Sequence, residues 1–401
     1  MDQRAYATLF PREHFEKFIS AGGTSSSRDD NDVAQQQQMV AGVRPEGHRP
    51  LGRARRVQFG LAELGNTGNN GAGVLCHLKS SSSSKGGKKT TVLCASRLER
   101  AKVNPRYPEE GFVEVNVEIG ACSRVENGTF SSTSERATRV ARLIRETVFP
   151  RKGGLLDWNV LKKGGGGGGG GKSSSSSSGE KDACWKFVVE CLVLDDDMGT
   201  LDACLAAAVA CARKTRAPTA TESESREEKD DDNDGDNEKD GKGKKQKKRK
   251  MMLAVNREFK PVCLTVGAFT LSAENGKDED KKNSKNGKKR KMNEDEKDEE
   301  LLGEEKKEDE ENEIEDYEPP KQIVIVDPTY EETKLCDAFI NVIVDENGNV
   351  LGLEKSNQHG VASSEVDETV LAKAIAAAKL RHGEVWKRIE QFDEIGEDDE
   401  E

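Results

Sequence analysis

Residues 322–356, QIVIVDPTYEETKLCDAFINVIVDENGNVLGLEKS, place an apolar run, an Asp-Pro turn, a second apolar run, an Asn-Gly turn and a third run in unbroken succession. Short runs rich in Val and Ile, bounded by such turn residues, read as strands, and Asn-Gly between two of them marks a hairpin. The stretch predicts a β-meander, in which each strand pairs with the next.

The rest of the chain cannot be one uniformly packed globule, because 33% of its residues are hydrophobic and 34% are charged. The polarity concentrates at 21–40, 79–90, 162–181, 219–250 and 272–318, whose compositions are those of disordered segments. Without them about 270 residues remain, enough for one substantial core. The expected organisation is an N-terminal docking helix (1–20), one folded domain (43–392) interrupted at about 79–90, 162–181, 219–250 and 272–318, and an acidic tail (393–401). The net charge of -12 resides largely in the 272–318 stretch and the tail, which leaves the remainder mildly basic and compatible with RNA contact.

Cysteines occur at 76, 94, 122, 184, 191, 204, 211, 263 and 336, with neither a Cys-x-x-Cys pair nor a His at metal-ligand spacing. They read as small buried apolar residues in a reducing compartment, and no metal or cofactor is expected. No signal-peptide pattern and no membrane-spanning apolar run is present, so an intracellular protein without a membrane partner is expected. Asn127-Gly128-Thr129 fits a glycosylation pattern but reads as a turn.

Periodicity places the other elements. A Pro-initiated helix at 9–20 carries Phe15, Phe18 and Ile19 on one face. Residues 71–78 and 90–95 form a hairpin whose turn is lengthened by a polar tract, and 112–122 alternates as a half-buried strand. A helix at 134–148, capped by Ser134, presents Val140, Leu143, Ile144 and Val148 on one side. Arg139, Arg142 and Arg145 point away from that side, and Arg136 lies at its border. A strand at 185–197 runs into the carboxylates Asp195, Asp196 and Asp197, which read as a turn at the strand end. An Ala-rich helix follows at 200–214 with Thr200 as N-cap; its small side chains allow close packing on a sheet. Residues 252–272 supply strand material interrupted at Pro261. A helix at 363–392 opens on a Ser364 to Asp367 capping box and spaces Val366, Val370, Val385 and Ile389 helically.

Gly166 to Ser173 formally satisfies a phosphate-loop pattern. It is rejected, because the glycines are a homopolymer and the following serines supply no helix N-terminus to hold an anion. The Lys-rich runs 242–250 and 288–291 read as solvated insertions or nuclear-import signals.

In wording as well as pattern, 322–356 resembles the ribonuclease PH superfamily. The segment VRPEGHRP at 43–50 is similar to the family's opening Arg-Pro-Asp-Gly-Arg, with Arg44, Pro45 and Gly47 retained and Glu46 and His48 substituted. The 134–148 helix resembles the one whose leading Arg binds inorganic phosphate in active members, and Arg136 falls on that position. Active members place an Asp on the strand and then Asp-Gly-Gly-Thr-Arg-Thr. Here Leu192 takes the strand-Asp position; Asp197, Gly199 and Thr200 are retained; and Met198, Leu201 and Asp202 replace the first Gly, the Arg and the final Thr. The ending Leu-Asp-Ala-Cys at 201–204 resembles the non-catalytic ring subunits of the RNA exosome.

The resemblance implies an α/β (α+β) ribonuclease PH fold, like the second domain of ribosomal protein S5, with mixed sheets flanked by helices. It implies a six-membered ring of related subunits, topped by RNA-binding cap proteins, with RNA passing through the channel. On this reading Leu192, Asp197 and Leu201 are vestigial active-site positions, while Arg136, Arg139, Arg142 and Arg145 contact RNA or a neighbouring subunit. The chain is then expected in the nucleus, nucleolus and cytoplasm, without catalytic activity and without a cofactor. Two rivals are an active phosphate-dependent 3′–5′ exoribonuclease using Arg136 and Asp197, and a free-standing RNA-binding scaffold.

Overall fold

The computed structural model describes residues 3–21, 44, 50–62, 71–79, 89–108, 110–120, 123, 130–161, 183–216, 253–271, 322–357 and 366–395. In chain order the elements are α1 (Gln3–Leu9), α2 (Pro11–Ala21), β1 (Arg56–Leu61), β2 (Ala72–Lys79), β3 (Lys89–Lys102), β4 (Phe112–Ile119), α3 (Phe130–Thr147), β5 (Ala183–Asp195), α4 (Thr200–Lys214), β6 (Val262–Thr270), β7 (Gln322–Val326), α5 (Tyr330–Thr333), β8 (Ala338–Val344), β9 (Val350–Asn357) and α6 (Glu368–Glu394).

The strands form a five-stranded sheet ordered β1-β2-β3-β5-β4 and a four-stranded sheet ordered β7-β6-β8-β9. In the first sheet only the β4–β5 pair is parallel, and α3 connects its two strands. The α4 helix packs against β2, β3 and β5 of that sheet and also against β6 of the other. Every residue from Thr200 to Ala212 is buried. A helix covered on all sides must be apolar all round, and alanines let its backbone approach both neighbours, which accounts for the run LAAAVACA. The same double coverage explains β6, an almost continuous apolar strand. Its Leu264, Val266 and Ala268 face α6, whereas Thr265 meets α4 and Phe269 meets the N-terminal helices.

The N-terminal segment expected as one helix holds two, α1 and α2; α2 starts at Pro11 and buries Phe15 and Ile19 beside Leu51, Ile325 and Phe339. The Phe15 and Phe269 rings meet edge to face at 5.3 Å. The Phe18 side chain lies outside the described residues.

The β-meander is only half right. β8 and β9 pair as a hairpin, but β7 pairs with β6, which lies between β7 and β8. The connection from β7 to β8 contains α5 and crosses over β6. Backbone hydrogen bonds pin both its ends there, from Asp327 N to Thr265 O at 2.8 Å and from Asp337 N to Ala268 O at 2.8 Å.

Smaller corrections concern boundaries. β2 reaches Lys79 and β3 begins at Lys89, so the ends of the 79–90 tract belong to the ladder, with Leu78 opposite Thr90. α3 begins at Phe130, which puts Ser134 inside the helix rather than at its cap. Asp367 itself caps α6 by accepting from Thr369 N, and Ser364 lies outside the described residues. The remaining insertions, the tail beyond Ile395, Cys122, Asn127-Gly128-Thr129, the glycine run and both Lys-rich runs also lie outside them. No helix of the described residues is long and apolar enough to cross a membrane. The eight described cysteines are free and buried, and burial pushes the Cys76 thiol up.

Candidate functional site

The carboxylate turn between β5 and α4 is where the chain's charged chemistry converges. Two consecutive residues there have left-handed backbone, Met198 at φ 67 and Gly199 at φ 72. Gly199 needs no Cβ in this conformation, and an added one would come within 3.0 Å of Arg55 Nη2. Met198 adopts it against its side chain's preference. Three hydrogen bonds hold it: Met198 N donates to Asp196 Oδ1 at 3.0 Å, and the Met198 carbonyl accepts from Arg55 Nη2 at 2.8 Å and from Thr90 Oγ1 at 2.5 Å.

Sharp turning presses Asp196 and Asp197 inward, on opposite sides. Asp197 meets Arg55, whose Nη1 lies 3.0 Å from the Asp197 carbonyl and 3.4 Å from its carboxylate. The other Asp197 oxygen accepts from Tyr330 N at 3.2 Å. Arg55 is 1% exposed and also grips Asp327, with Nη2 to Oδ1 at 2.6 Å, Nε to Oδ2 at 2.9 Å and its own backbone N to Oδ2 at 2.7 Å. Burial alone would lower the Arg55 guanidinium, but Asp327, followed by Asp197 and Asp202, outweighs it and holds the group above its ordinary range.

Asp202, in the first turn of α4, accepts from Thr265 N and Thr265 Oγ1, each at 3.0 Å. Burial, and next the Asp327 charge, push its carboxyl up. The family-like Arg44 forms a second buried pair with Glu332 of α5. These ion pairs stitch the β1 lead-in, the carboxylate turn and the β7–β8 connection together. Among pairs of such depth, net stabilisation is small but breaking one is costly.

On the other side Arg136 Nη1 sits 2.7 Å from Asp196 Oδ2, and its Nη2 donates to Thr200 Oγ1 at 2.6 Å. Thr200 Oγ1 in turn donates to Asp196 Oδ1 at 2.8 Å. Thr200 is therefore not the N-cap, which is Gly199; it is the first helical residue and closes a three-residue hydrogen-bond ring. The Arg136 side chain keeps 33% of its surface exposed, yet its fork is already engaged by Asp196 and Thr200. An anion would have to displace Asp196 to obtain a two-pronged grip.

The structure brings Arg136 and Asp197 to the two sides of one turn. Leu192 is half-buried on β5 opposite Leu93, and Leu201 is core. Arg139, Arg142 and Arg145 do not continue the Arg136 site. Successive steps of three residues rotate by about -60° on a helix, so Arg145 lies opposite Arg136. Arg139 pairs with Glu354 of β9 at 3.4 Å, whereas Arg142 and Arg145 are exposed. Among the described residues, no three His, Cys, Asp or Glu side chains form a group that could hold a metal ion. Asp195 is the last residue of β5 and the turn follows it, with Asp196 and Asp197 as buried counter-ions within it.

Sequence reasoning missed Arg55, Asp327, Asp202 and Glu332 as partners. The available signal was an acid directly after the apolar run 323–326, and an Arg just before β1 in an Arg-rich lead-in.

Sequence models of the RNase PH, or 3′ exoribonuclease, family match the chain in two pieces: domain 1 over residues 72–218 and domain 2 over residues 314–380. Together they span more than half of it. The chain belongs to this family. Its two sheets flanked by helices are the RNase PH fold that the resemblance implied. Among solved structures it is similar to the Archaeoglobus fulgidus exosome with RNA bound to the active site, at TM-score 0.53 and 15% identity, over 94% of this chain and 98% of that one. It is also similar to an archaeal exosome core, at TM-score 0.49 and 15% identity, over 95% and 97%. At such identities the likeness is one of fold. A comparison with curated proteins returned no match.

Proposed function

We propose that this chain is a non-catalytic, structural ring subunit of an RNA exosome, supporting 3′–5′ RNA processing and decay. Family membership and fold support an exosome-type subunit. One observation carries the assignment of silence: the two groups left from the active pattern are turned on partners within the chain, Arg136 on Asp196 and Thr200, and Asp197 on Arg55 and Tyr330 N. Leu192 and Leu201 stand where the resemblance places the strand acid and the Arg of the Asp-Gly-Gly-Thr-Arg-Thr run. Phosphorolysis needs the attacking anion held and the leaving group assisted at once, and neither group is at liberty for it.

The wording of 322–356 resembles ribosomal-RNA-processing protein 43, also called exosome component 8, and the ending 201–204 resembles the non-catalytic ring subunits. Ribosomal RNA maturation in nucleolus and nucleus, and RNA decay in the cytoplasm, follow from that reading. Its partners are the other ring subunits, the RNA-binding cap proteins and RNA in the channel.

The test has two parts. Native mass measurement of the endogenous protein is expected to find it in a multi-subunit ring, and a monomer alone would remove the proposal. The purified chain, given single-stranded RNA, phosphate and magnesium or manganese, is expected to release no nucleoside diphosphate. Phosphate-dependent release that disappears in Asp197→Asn or Arg136→Ala would establish the active enzyme instead.

A further inference from the structure

A second cluster of cations lies away from the carboxylate turn, in a cleft of about 370 Å³ between the lead-in to β1 and the solvent face of α6. Arg53 and Arg56 line one wall; Lys387 and Arg388 line the other, with Glu384 and Gln391. On α6 these four residues stand at i, i+3, i+4 and i+7, which is one helical face. Its opposite face buries Val385, Trp386, Ile389 and Phe392.

The walls are held at a fixed spacing. Arg381, buried on α6, donates from Nη2 to the Arg55 carbonyl, between Arg53 and Arg56. Its Nη1 pairs with Glu384, so the one carboxylate lining the cleft already serves Arg381. Arg388 Nη1 reaches Gln391 Oε1 at 2.9 Å. Arg53, Arg56, Lys387 and Arg388 are all exposed, and none has an ion-pair partner among the described residues. Four such charges around a concavity concentrate positive potential there.

We propose that this cleft binds the phosphodiester backbone of single-stranded RNA. The inference rests on the reading of the chain as an exosome subunit and adds an RNA contact separate from the Arg136 region. Three features select this ligand. Guanidinium forks match phosphate oxygens in pairs. No aromatic side chain lines the cleft, so it offers no platform for bases and grips the backbone without reading sequence. Protein interfaces are anchored at their cores by aromatics, whereas the apolar lining here is only Ala54 and Val57.

The experiment measures binding of a fluorescent single-stranded RNA 20-mer to the full chain in its assembled ring, across a salt series. It compares wild type with Arg53→Ala/Arg56→Ala/Lys387→Ala/Arg388→Ala and with a variant carrying Lys at the three Arg positions. Removing one cation from a phosphate should flatten the log–log salt slope by about 0.7, so the Ala variant should lose up to about 3 in slope and at least tenfold in affinity at low salt. The Lys variant should retain the slope. Unaltered thermal midpoints will show that the fold is intact, and the charge reversal Lys387→Glu/Arg388→Glu provides a second route to the same loss. Wild-type affinity and slope in the Ala variant would overturn the inference while leaving the ring assignment standing. A wild-type ring that binds no RNA would instead remove the exosome reading. Loss of a co-purifying subunit with unchanged RNA slope would assign the cleft to a protein neighbour, and displacement by millimolar phosphate at constant ionic strength would assign it to the free anion; either overturns the RNA proposal.

Discussion

Arg55 and Arg56 are adjacent in the chain and do opposite work. Arg55 is enclosed, with Asp327 and Asp197 around its guanidinium, and Arg56 lies on the surface with no carboxylate assigned to it. The same contrast separates Arg136, closed on Asp196, from Arg142 and Arg145 on the open side of α3. In these pairs the guanidinium is either a tie between segments or a charge facing solvent, and what decides is which carboxylate the fold brings within hydrogen-bonding distance. The turn that resembles a catalytic motif falls on the enclosed side of that division.

The largest effect should come from opening the enclosed side. Arg55→Met leaves Asp327 and Asp197 buried without their cation and should destabilise the protein by about 3–5 kcal/mol in denaturant titration. Asp327→Asn should cost less, because Asn tolerates the φ of 51 at that position and Arg55 keeps Asp197. A loss below about 1 kcal/mol for Arg55→Met would break the comparison, since Arg55 would then be no more structural than a surface arginine.

A smaller gain is expected from the turn itself. Met198→Gly relieves a left-handed backbone and should raise stability by about 0.5–1 kcal/mol after the added chain entropy is counted. An unchanged or lower denaturation midpoint would show that the Met198 side chain, whose sulfur lies 3.8 Å from Arg136 Nη2, holds Arg136 in place.

The smallest effect belongs to an exposed carboxylate, Asp367 at the start of α6. Hydrogen bonds from the Thr369 side chain and backbone hold its pKa below the ordinary 3.8. A depressed acid contributes stability fully above its unfolded value and loses it as pH falls through the folded value. Thermal midpoints should therefore show a small decline below about pH 4 that Asp367→Asn, itself a competent cap, lacks. A variant with the same decline would move that acid sensitivity to the buried carboxylates.

Much of this fold was legible in local pattern. The alternation of 112–119, the Ala-rich run of α4, the Pro-led α2 and the Asn-Gly hairpin of β8 and β9 each state their secondary structure and their apolar face. The carboxylate turn was also visible, and so were the substitutions at Leu192, Met198 and Leu201 that separate it from an active pattern. What could not be read was who meets whom. Periodicity tells a strand which side is buried but not which strand lies beside it, so β6 was free to enter between β7 and β8.

The amino-acid order by itself determined most of the long elements, their buried faces and the family resemblance, but not α1, β1 or α5. Tertiary structure alone decided that Asp197 is a counter-ion, that Arg136 is closed by Asp196 and Thr200, and that Arg53 and Arg56 share a cleft with Lys387 and Arg388. The physical reason is range. Arg55 and Asp327 are 272 residues apart, and Arg136 and Thr200 are 64 apart. Charge neutralisation depends on distances of a few ångströms in space, which local sequence pattern does not specify.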